Sequence, residues 1–326
     1  MLIKSLFLAH LNDMRLIRGL NHLEPLRHGC VLTIGNFDGL HLGHRLVIER
    51  LAEHGRQLNL PVVAMVFEPQ PLEYFLGDNA PSRLTRLREK TIQFATLPVD
   101  QLLVLPFNRH LADIDAEQFI RDVLVGQLNI KHLVIGDDFH FGKARRGNFA
   151  LLQHRGQDYG FTVEATPSFE IGGLRVSSTL IRDALGEGDL AEAKILLGRD
   201  YSVCGRVAHG DKRGRELGFP TANIRMFRKN TPLTGVFAVT MSGLGCGELH
   251  GVANLGNRPT VDGVGKAVLE THLFDFNRDI YGRYVEVHFK AKLRDEIRFA
   301  SLEALKAQIG VDVQAARTFF QSLGHD

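Results

Sequence analysis

The 326-residue chain is short of cysteine, of net charge and of long apolar runs, and each shortage excludes a class of protein. No apolar stretch approaches the roughly 18 residues that a membrane-spanning helix needs, so no membrane segment is expected. The 39 basic side chains balance 37 acidic ones, leaving a formal net charge of +2. That provides no global field for sequence-independent binding of nucleic acid, and no nucleic-acid partner is expected. Cys30, Cys204 and Cys246 are odd in number, widely spaced and form no CxxC. They argue against a disulfide framework or a zinc site and fit a reducing, cytoplasmic setting. The opening Met1–Ala9 is apolar but short, carries Lys4 and lacks a convincing small-residue cleavage site, so it does not read as a signal peptide. No internal repeat is apparent.

What the chain does contain is concentrated in Gly35-Asn36-Phe37-Asp38-Gly39-Leu40-His41-Leu42-Gly43-His44. Before it, Cys30–Ile34 is a continuous apolar run suited to a strand buried on both faces. After it, Leu46, Ile48, Leu51 and Ala52, mixed with Glu49, Arg50 and Glu53, keep helical spacing to about Leu58. The motif therefore occupies a strand-to-helix turn. At such a turn glycines let the backbone approach a ligand, free N–H groups point outward, and the helix dipole favours negative charge. His41 and His44, three residues apart, fall on one side of the first helical turn and can both donate to phosphate oxygens. A lone histidine there would read as a surface or capping residue. Two within one glycine-rich turn point to a phosphate site.

The first half of the chain alternates strand and helix signals. Val62–Phe67 is followed by a proline-interrupted loop and a helical segment from about Arg83 to Leu97. A strand at Leu102–Leu105, a helix from about Ala116 to Val125 and a strand at His132–Ile135 come next. This rhythm predicts an α/β doubly wound, Rossmann-like parallel sheet whose ligands bind beyond the carboxyl ends of the strands. From about Tyr201 the pattern becomes short alternating segments between glycine-rich turns: Ser202–Val207, Gly235–Thr240, Leu249–Leu255, Val268–Phe274 and Val285–Phe289. These read as an antiparallel barrel or sandwich, closed by two helical stretches, Leu302–Ile309 and Gln314–Leu323. Gly186-Glu187-Gly188-Asp189 interrupts the helical pattern between the halves, and the expected domains are 1–186 and 187–326.

Two further clusters carry polar groups. Gly136-Asp137-Asp138-Phe139-His140-Phe141-Gly142 ends a strand with two carboxylates, two aromatics and a closing glycine. It suits either a planar ligand with a polar edge or an acidic turn over core aromatics. Ser177-Ser178-Thr179-Leu180-Ile181-Arg182 resembles a capped helix start, and Arg182, one turn later, could join the free N–H groups in gripping a triphosphate.

In order, GNFDGLHLGH, GDDFHFG and SSTLIR resemble the adenylyltransferase module of the bacterial bifunctional riboflavin kinase/FMN adenylyltransferase family, also called FAD synthetase. The stretch from Gly205 through His209, Gly210, Lys212, Arg213, Gly214 and Arg215 to Phe219-Pro220-Thr221-Ala222-Asn223 resembles the kinase module of the same family. The resemblance runs from about Met14 to Leu323. The family's usual opening is similar to Met14–Gly19, so Met1–Asp13 reads as an upstream extension or a misassigned start.

The second motif also has a physical reading of its own. Gly205, Gly210 and Gly214 flank a loop bearing His209 and Arg215, as expected of a flap over ATP phosphates. It is not a Walker loop, because the Lys-Ser/Thr ending is absent. Thr221 and Asn223 add a hydroxyl and an amide oxygen that suit Mg²⁺, although the residues by themselves favour local turn hydrogen bonding over metal binding.

The resemblance implies the remaining roles. Glu270 would be the base for the riboflavin hydroxyl, whereas alternation alone would leave it an ordinary solvent-facing strand residue. Arg294 and Glu296 would lie beside the flavin of the kinase, and Asp138, Phe139 and Phe141 beside the flavin of the adenylyltransferase. Gly35, Phe37, Asp38, Gly39, Ser177, Ser178 and Thr179 would contact ATP, with His41, His44 and Arg182 on its phosphates. Riboflavin, FMN and ATP are then the expected partners, with oligomerisation left open. A transferase acting on pantetheine phosphate or nicotinamide mononucleotide would share the histidine turn without needing Gly205–Asn223 or Glu270. A class I aminoacyl-tRNA synthetase would add a KMSKS-like loop, which is absent. A non-catalytic flavin binder could lose His44 or Glu270, and both are present.

Overall fold

The structure, a computed structural model, describes residues 14–210, 214, 217–228, 230–258 and 266–323. The opening segment 1–13 and Arg215 lie outside the described residues. Two compact units account for the rest: residues 14–81 with 85–177, and residues 82–84 with 178–323. Within the Gly186–Asp189 interruption, Gly186 and Glu187 end one helix of the second unit, and only Gly188 and Asp189 separate it from the next.

In the first unit six parallel strands form one sheet: β1 (Arg15–Arg18), β2 (Cys30–Ile34), β3 (Val62–Glu68), β4 (Gln101–Pro106), β5 (Ile130–Gly136) and β6 (Thr162–Thr166). Their order is β1-β4-β3-β2-β5-β6. Every residue of β2 is buried, because each face of the sheet carries its own core. Cys30, Leu32, Met65 and Leu133 belong to one, while Val31, Ala64, Leu102 and Val134 belong to the other. The helices α1 (Leu42–Leu58), α2 (Pro71–Leu76), α3 (Leu87–Phe94), α4 (Arg109–Asp113), α5 (Ala116–Gln118, continued by a π-type segment Phe119–Gln127) and α6 (Phe149–Tyr159) complete the unit. Ile48, Leu51 and Ala52 of α1, at helical spacing, bury the face that meets the second core.

The expected doubly wound topology is therefore present. From β2 the chain moves to β3 on one side, and after β4 it returns to place β5 on the other. The crevice beyond β2 and β5 is thus the topological switch point, where ligands of such sheets bind. The Gly35–His44 turn leaves β2 there. Cys30 is fully buried, and burial pushes its thiol up to about 12, so it behaves as a small core residue.

The second unit is a closed antiparallel barrel of β9 (Ser202–Ala208), β10 (Ala222–Arg225), β11 (Gly235–Ser242), β12 (Leu249–Arg258), β13 (Lys266–Leu273) and β14 (Tyr284–Arg294). Its order is β10-β13-β12-β11-β14-β9. A short hairpin, β7 (Glu170–Ile171) and β8 (Leu174–Arg175), ends the first unit, and helices α7 (Ser178–Glu187) and α8 (Leu190–Leu197) open the second. The two expected C-terminal helices are instead one, α9 (Leu302–Leu323). An interior glycine costs a helix about 1 kcal/mol relative to alanine. Across Gly310 that cost is offset by packing: Val313, Ala316, Phe319 and Phe320 lie against Val236, Ala238 and Val252 of the barrel. Among the described residues no helix is long and apolar enough to cross a membrane.

Candidate active site

The turn after β2 is held in an uncommon backbone conformation. Phe37, Gly39 and Leu40 have φ of 47°, 82° and 42°, and the left-handed region costs a residue with a side chain roughly 1–2 kcal/mol. Burial of Phe37 and Leu40 in the second core offsets this. The result is that α1 begins at the sheet edge with His41 as its N-cap. The Nδ1 atom of His41 accepts a hydrogen bond from the backbone N–H of His44 at 3.4 Å. A neutral ring that accepts at Nδ1 carries its proton on Nε2. The two imidazoles stack, with centroids 3.6 Å apart and planes inclined by 17°. Phe37 meets His44 edge-on at 5.1 Å and Phe94 at 5.3 Å, which fixes the second ring from the core side.

Asp38 is buried and serves the turn: its Oδ1 accepts from the Thr85 backbone N–H at 3.0 Å and from the Thr85 hydroxyl at 3.3 Å. Thr85 Oγ1 in turn accepts from the Gly39 N–H at 2.9 Å. Lys90, fully buried on α3, donates to the Asn36 carbonyl and brings a cation beneath the same turn. Neither Thr85 nor Lys90 was singled out from the sequence. A signal for Lys90 was there, since it interrupts the apolar stripe Leu84, Leu87, Phe94 at helical spacing.

At the end of β5, Phe139 and Phe141 stack with centroids 5.6 Å apart, and Phe141 is buried. Arg175 Nη2 donates to Asp137 Oδ1 at 3.3 Å and to Asp138 Oδ2 at 3.0 Å, and Ser168 donates to Asp137 at 2.8 Å. The aspartates are thus organised by an arginine on β8 that the sequence did not suggest. Ser177 closes the first unit, whereas Ser178, Thr179 and Arg182 belong to α7 of the second. There Arg182 Nε donates to the Ser82 carbonyl at 2.7 Å.

On the barrel, strand register assembles a polar row. Glu270 of β13 lies opposite Asn223 of β10 and opposite Asn254 of β12. Directly opposed side chains in a sheet are roughly 5 Å apart. Asn254 Nδ2 donates to Glu296 Oε1 at 3.1 Å, so Glu296 extends the row. Two glycines lie close to it: a Cβ on Gly210 would press on Asn223 Nδ2, and one on Gly214 would sit 3.1 Å from Thr221 Oγ1. Only glycine allows this closeness at Gly210. His272 holds the approach to β10 by donating to the Pro220 carbonyl at 2.9 Å, and the His209 ring lies tilted by 33° against Tyr281, with centroids 3.9 Å apart. Gly205 lies within β9, where its missing side chain accommodates Ile224. Arg294 is turned toward α9, with Nε and Nη2 donating to the two carboxylate oxygens of buried Asp312 at 2.8 and 2.7 Å.

Known proteins match both halves. A FAD synthetase family model matches residues 23–180, and a riboflavin kinase family model matches residues 197–320. A bifunctional riboflavin kinase/FMN adenylyltransferase of Escherichia coli (strain K12) is 52% identical over 308 residues, spanning 94% of this chain and 98% of the relative. The protein of the same description from Haemophilus influenzae is 50% identical, over 95% and 100% of the two chains. The one from Pseudomonas fluorescens is 49% identical, over 96% and 100%. A crystal structure described as a macrolide-efflux protein from Streptococcus pneumoniae superposes with a TM-score of 0.79 at 29% identity, covering 94% of this chain and 99% of that one. Two family models in the order of the two units, and relatives matched along nearly their whole length, place this chain in the bifunctional riboflavin kinase/FMN adenylyltransferase family.

Proposed function

We propose that the chain converts riboflavin to FMN on the barrel unit and FMN to FAD on the parallel-sheet unit, using one ATP in each step. The observation that carries this division is that the stacked imidazoles and the carboxylate row belong to different folded units, each built around its own backbone feature.

In the kinase step the terminal ribityl hydroxyl attacks the γ-phosphorus of ATP. Its proton passes to the Glu270 carboxylate, the bond to the ADP oxygen breaks, and FMN and ADP result. Asn223 and Asn254 lie opposite Glu270 on its two neighbouring strands, and Glu296, bonded to Asn254, would lie toward the flavin. Thr221, just before β10, and Asn223 of β10 offer hard oxygen donors next to Gly214 and Gly210. These would hold Mg²⁺, which when bound supplies neutralising charge to ATP phosphates.

In the adenylyl step the FMN phosphate is already ionised and needs no base. One of its oxygens attacks the α-phosphorus of ATP, and the bond to pyrophosphate breaks. His41 Nε2–H and His44 donate to the phosphate oxygens where charge accumulates, and the α1 N-terminus adds its N–H groups and dipole. Lys90 supports them from below. Asp138, Phe139 and Phe141 serve the flavin, with Arg175 orienting Asp138.

Purified chain incubated with riboflavin, ATP and Mg²⁺, followed by chromatographic separation of flavins, tests the proposal. FMN is expected first and FAD second, and FMN supplied directly should also yield FAD. Riboflavin recovered unchanged, with FMN also unconverted, would overturn it.

A further inference from the structure

We propose that His54, His132 and Glu164 form a binding site for one divalent metal ion of the zinc class, within the first unit and separate from the paired imidazoles. His54 lies ten residues beyond His44 on α1, which is roughly 15 Å along the helix axis. His132 is on β5 and Glu164 on the neighbouring β6. One ligand atom from each comes within 4.8 Å of the others, the only such trio of candidate metal ligands among the described residues.

The geometry is that of a ligand set close to closure. His54 Nε2 is 2.8 Å from Glu164 Oε2, and His132 Nε2 is 3.9 Å from the same oxygen. A tetrahedral ion with bonds of about 2.0–2.1 Å places its ligands roughly 3.4 Å apart. These two separations fall on either side of that value, and the third, between the imidazoles, is within 4.8 Å; the rings, with centroids 3.8 Å apart, must spread for both lone pairs to meet one ion.

His132 supplies the independent sign of a ligand. It is 6% exposed, and its Nε2, directed into the trio, has no hydrogen-bond partner. Its Nδ1 lies 2.6 Å from Thr162 Oγ1, whose own proton is directed to the Lys131 carbonyl at 3.4 Å. The hydroxyl oxygen therefore accepts from Nδ1–H, which leaves the Nε2 lone pair facing the cluster. That outer hydrogen bond is the usual way a metal-binding imidazole is oriented.

Glu164 is prepared in a similar way. Arg50 Nε holds its Oε1 at 2.7 Å and leaves Oε2 for a monodentate bond. The guanidinium is itself paired to Glu53 at 2.9 Å, so Arg50, Glu53 and Glu164 together carry one negative charge. The side chains of His54 and Glu164 are 20% and 29% exposed, against 7% for His132, which gives an ion a route in and leaves a position for water. Cysteine spacing could not reveal the site because it uses no cysteine. His54 and His132 are 78 positions apart, so no short motif announces it.

The test uses the full chain, stripped with chelator and titrated with Zn²⁺ against a chromophoric competitor, with Co²⁺ as a second, visible probe. One site per chain is expected to survive His44→Ala. It should weaken by about 100-fold or more in His132→Gln, His54→Gln and Glu164→Gln, with loss of the Co²⁺ absorption of a low-coordinate site. His54→Gln and Glu164→Gln alter partly exposed side chains, and circular dichroism checks that the fold is kept. Unchanged Zn²⁺ affinity in those two variants, or loss of the ion in His44→Ala alone, would overturn the assignment.

Discussion

The double duty of His41 allows its chemistry to be separated from its structural role by one substitution. Nδ1 caps α1 by accepting from the His44 N–H, while Nε2 is the proposed donor to phosphate. His41→Ala removes both functions. His41→Asn keeps a strong N-cap acceptor at nearly the Nδ1 position and removes only the distal donor. Losing the cap would cost about 1 kcal/mol, and asparagine should retain most of it. Losing one preorganised donor to a developing phosphate charge costs about 3–4 kcal/mol, or on the order of 10²–10³ in rate. His41→Asn is therefore expected to unfold within about 2 °C of the parent, since a few tenths of a kcal/mol move the midpoint little at this size. FMN formation from riboflavin should be unchanged and FAD formation slowed by roughly 10²–10³. The assay follows both flavins by chromatography. FAD formation within tenfold of the parent, in a variant of normal stability, would refute the assignment of Nε2 as donor.

Three further outcomes follow from the same geometry. Glu270→Gln should lower FMN formation by about 10²–10⁴ while FAD formation from supplied FMN persists, and equal loss of both would remove Glu270 from the role of kinase base. Arg294→Met should strip buried Asp312 of its cation and destabilise the barrel unit by about 3 kcal/mol in denaturant titrations. Adding Asp312→Asn should recover part of that loss, and additive losses would show that the pair is not the cause. Burial, with the neighbouring His54, depresses the His132 imidazole from 6.5 to about 4. The unfolded chain therefore takes up this proton first as pH falls. The stability at stake is intact above about pH 6.5 and lost on descent through 4, with a ceiling of about 3 kcal/mol. In chelator-treated protein His132→Gln should flatten that acid limb of unfolding free energy against pH, and an unchanged limb would contradict the burial argument.

How far the sequence spoke depended on whether a signal was local. β2, β3, β4 and β5 were legible because each is a continuous apolar run, and α1 because its buried positions recur at helical spacing. β1, β6 and β10 were missed. β10 has only four residues, and β6 reads Thr-Val-Glu-Ala-Thr, with too little apolar content to stand out. Both lie beside strands that were recognised, and their pairing supplies what their composition lacks. Gly310 misled for the opposite reason: a local breaker is outweighed by contacts with strands far away in sequence. In the first site the histidine turn could be read from ten residues, but its supports, Thr85 and Lys90, come from some 46 and 54 positions away. Asn254 likewise enters the carboxylate row only through the β12–β13 register, which no motif encodes.

Under the proposed function the two units would answer the same demand, holding polyphosphate without a global positive field, by different physics. On the sheet the anion would be met by a helix N-terminus and two imidazoles that are already fixed by stacking and by the 3.4 Å N–H contact, so little reorganisation would be needed when charge develops. On the barrel the row is itself acidic, with Glu270 and Glu296 on either side of Asn254, and would repel ATP on its own. It can accept a phosphate only with a cation alongside, and Thr221 and Asn223 offer neutral oxygens where that cation would sit. Gly210 lies against Asn223 and Gly214 against Thr221. A Cβ at position 210 would press on Asn223 Nδ2 and must displace the side chain. Under the proposed function, nucleotide binding at the barrel would depend on glycine backbone at 210 as well as on charge, whereas the sheet site would be set by the turn that folds with its core.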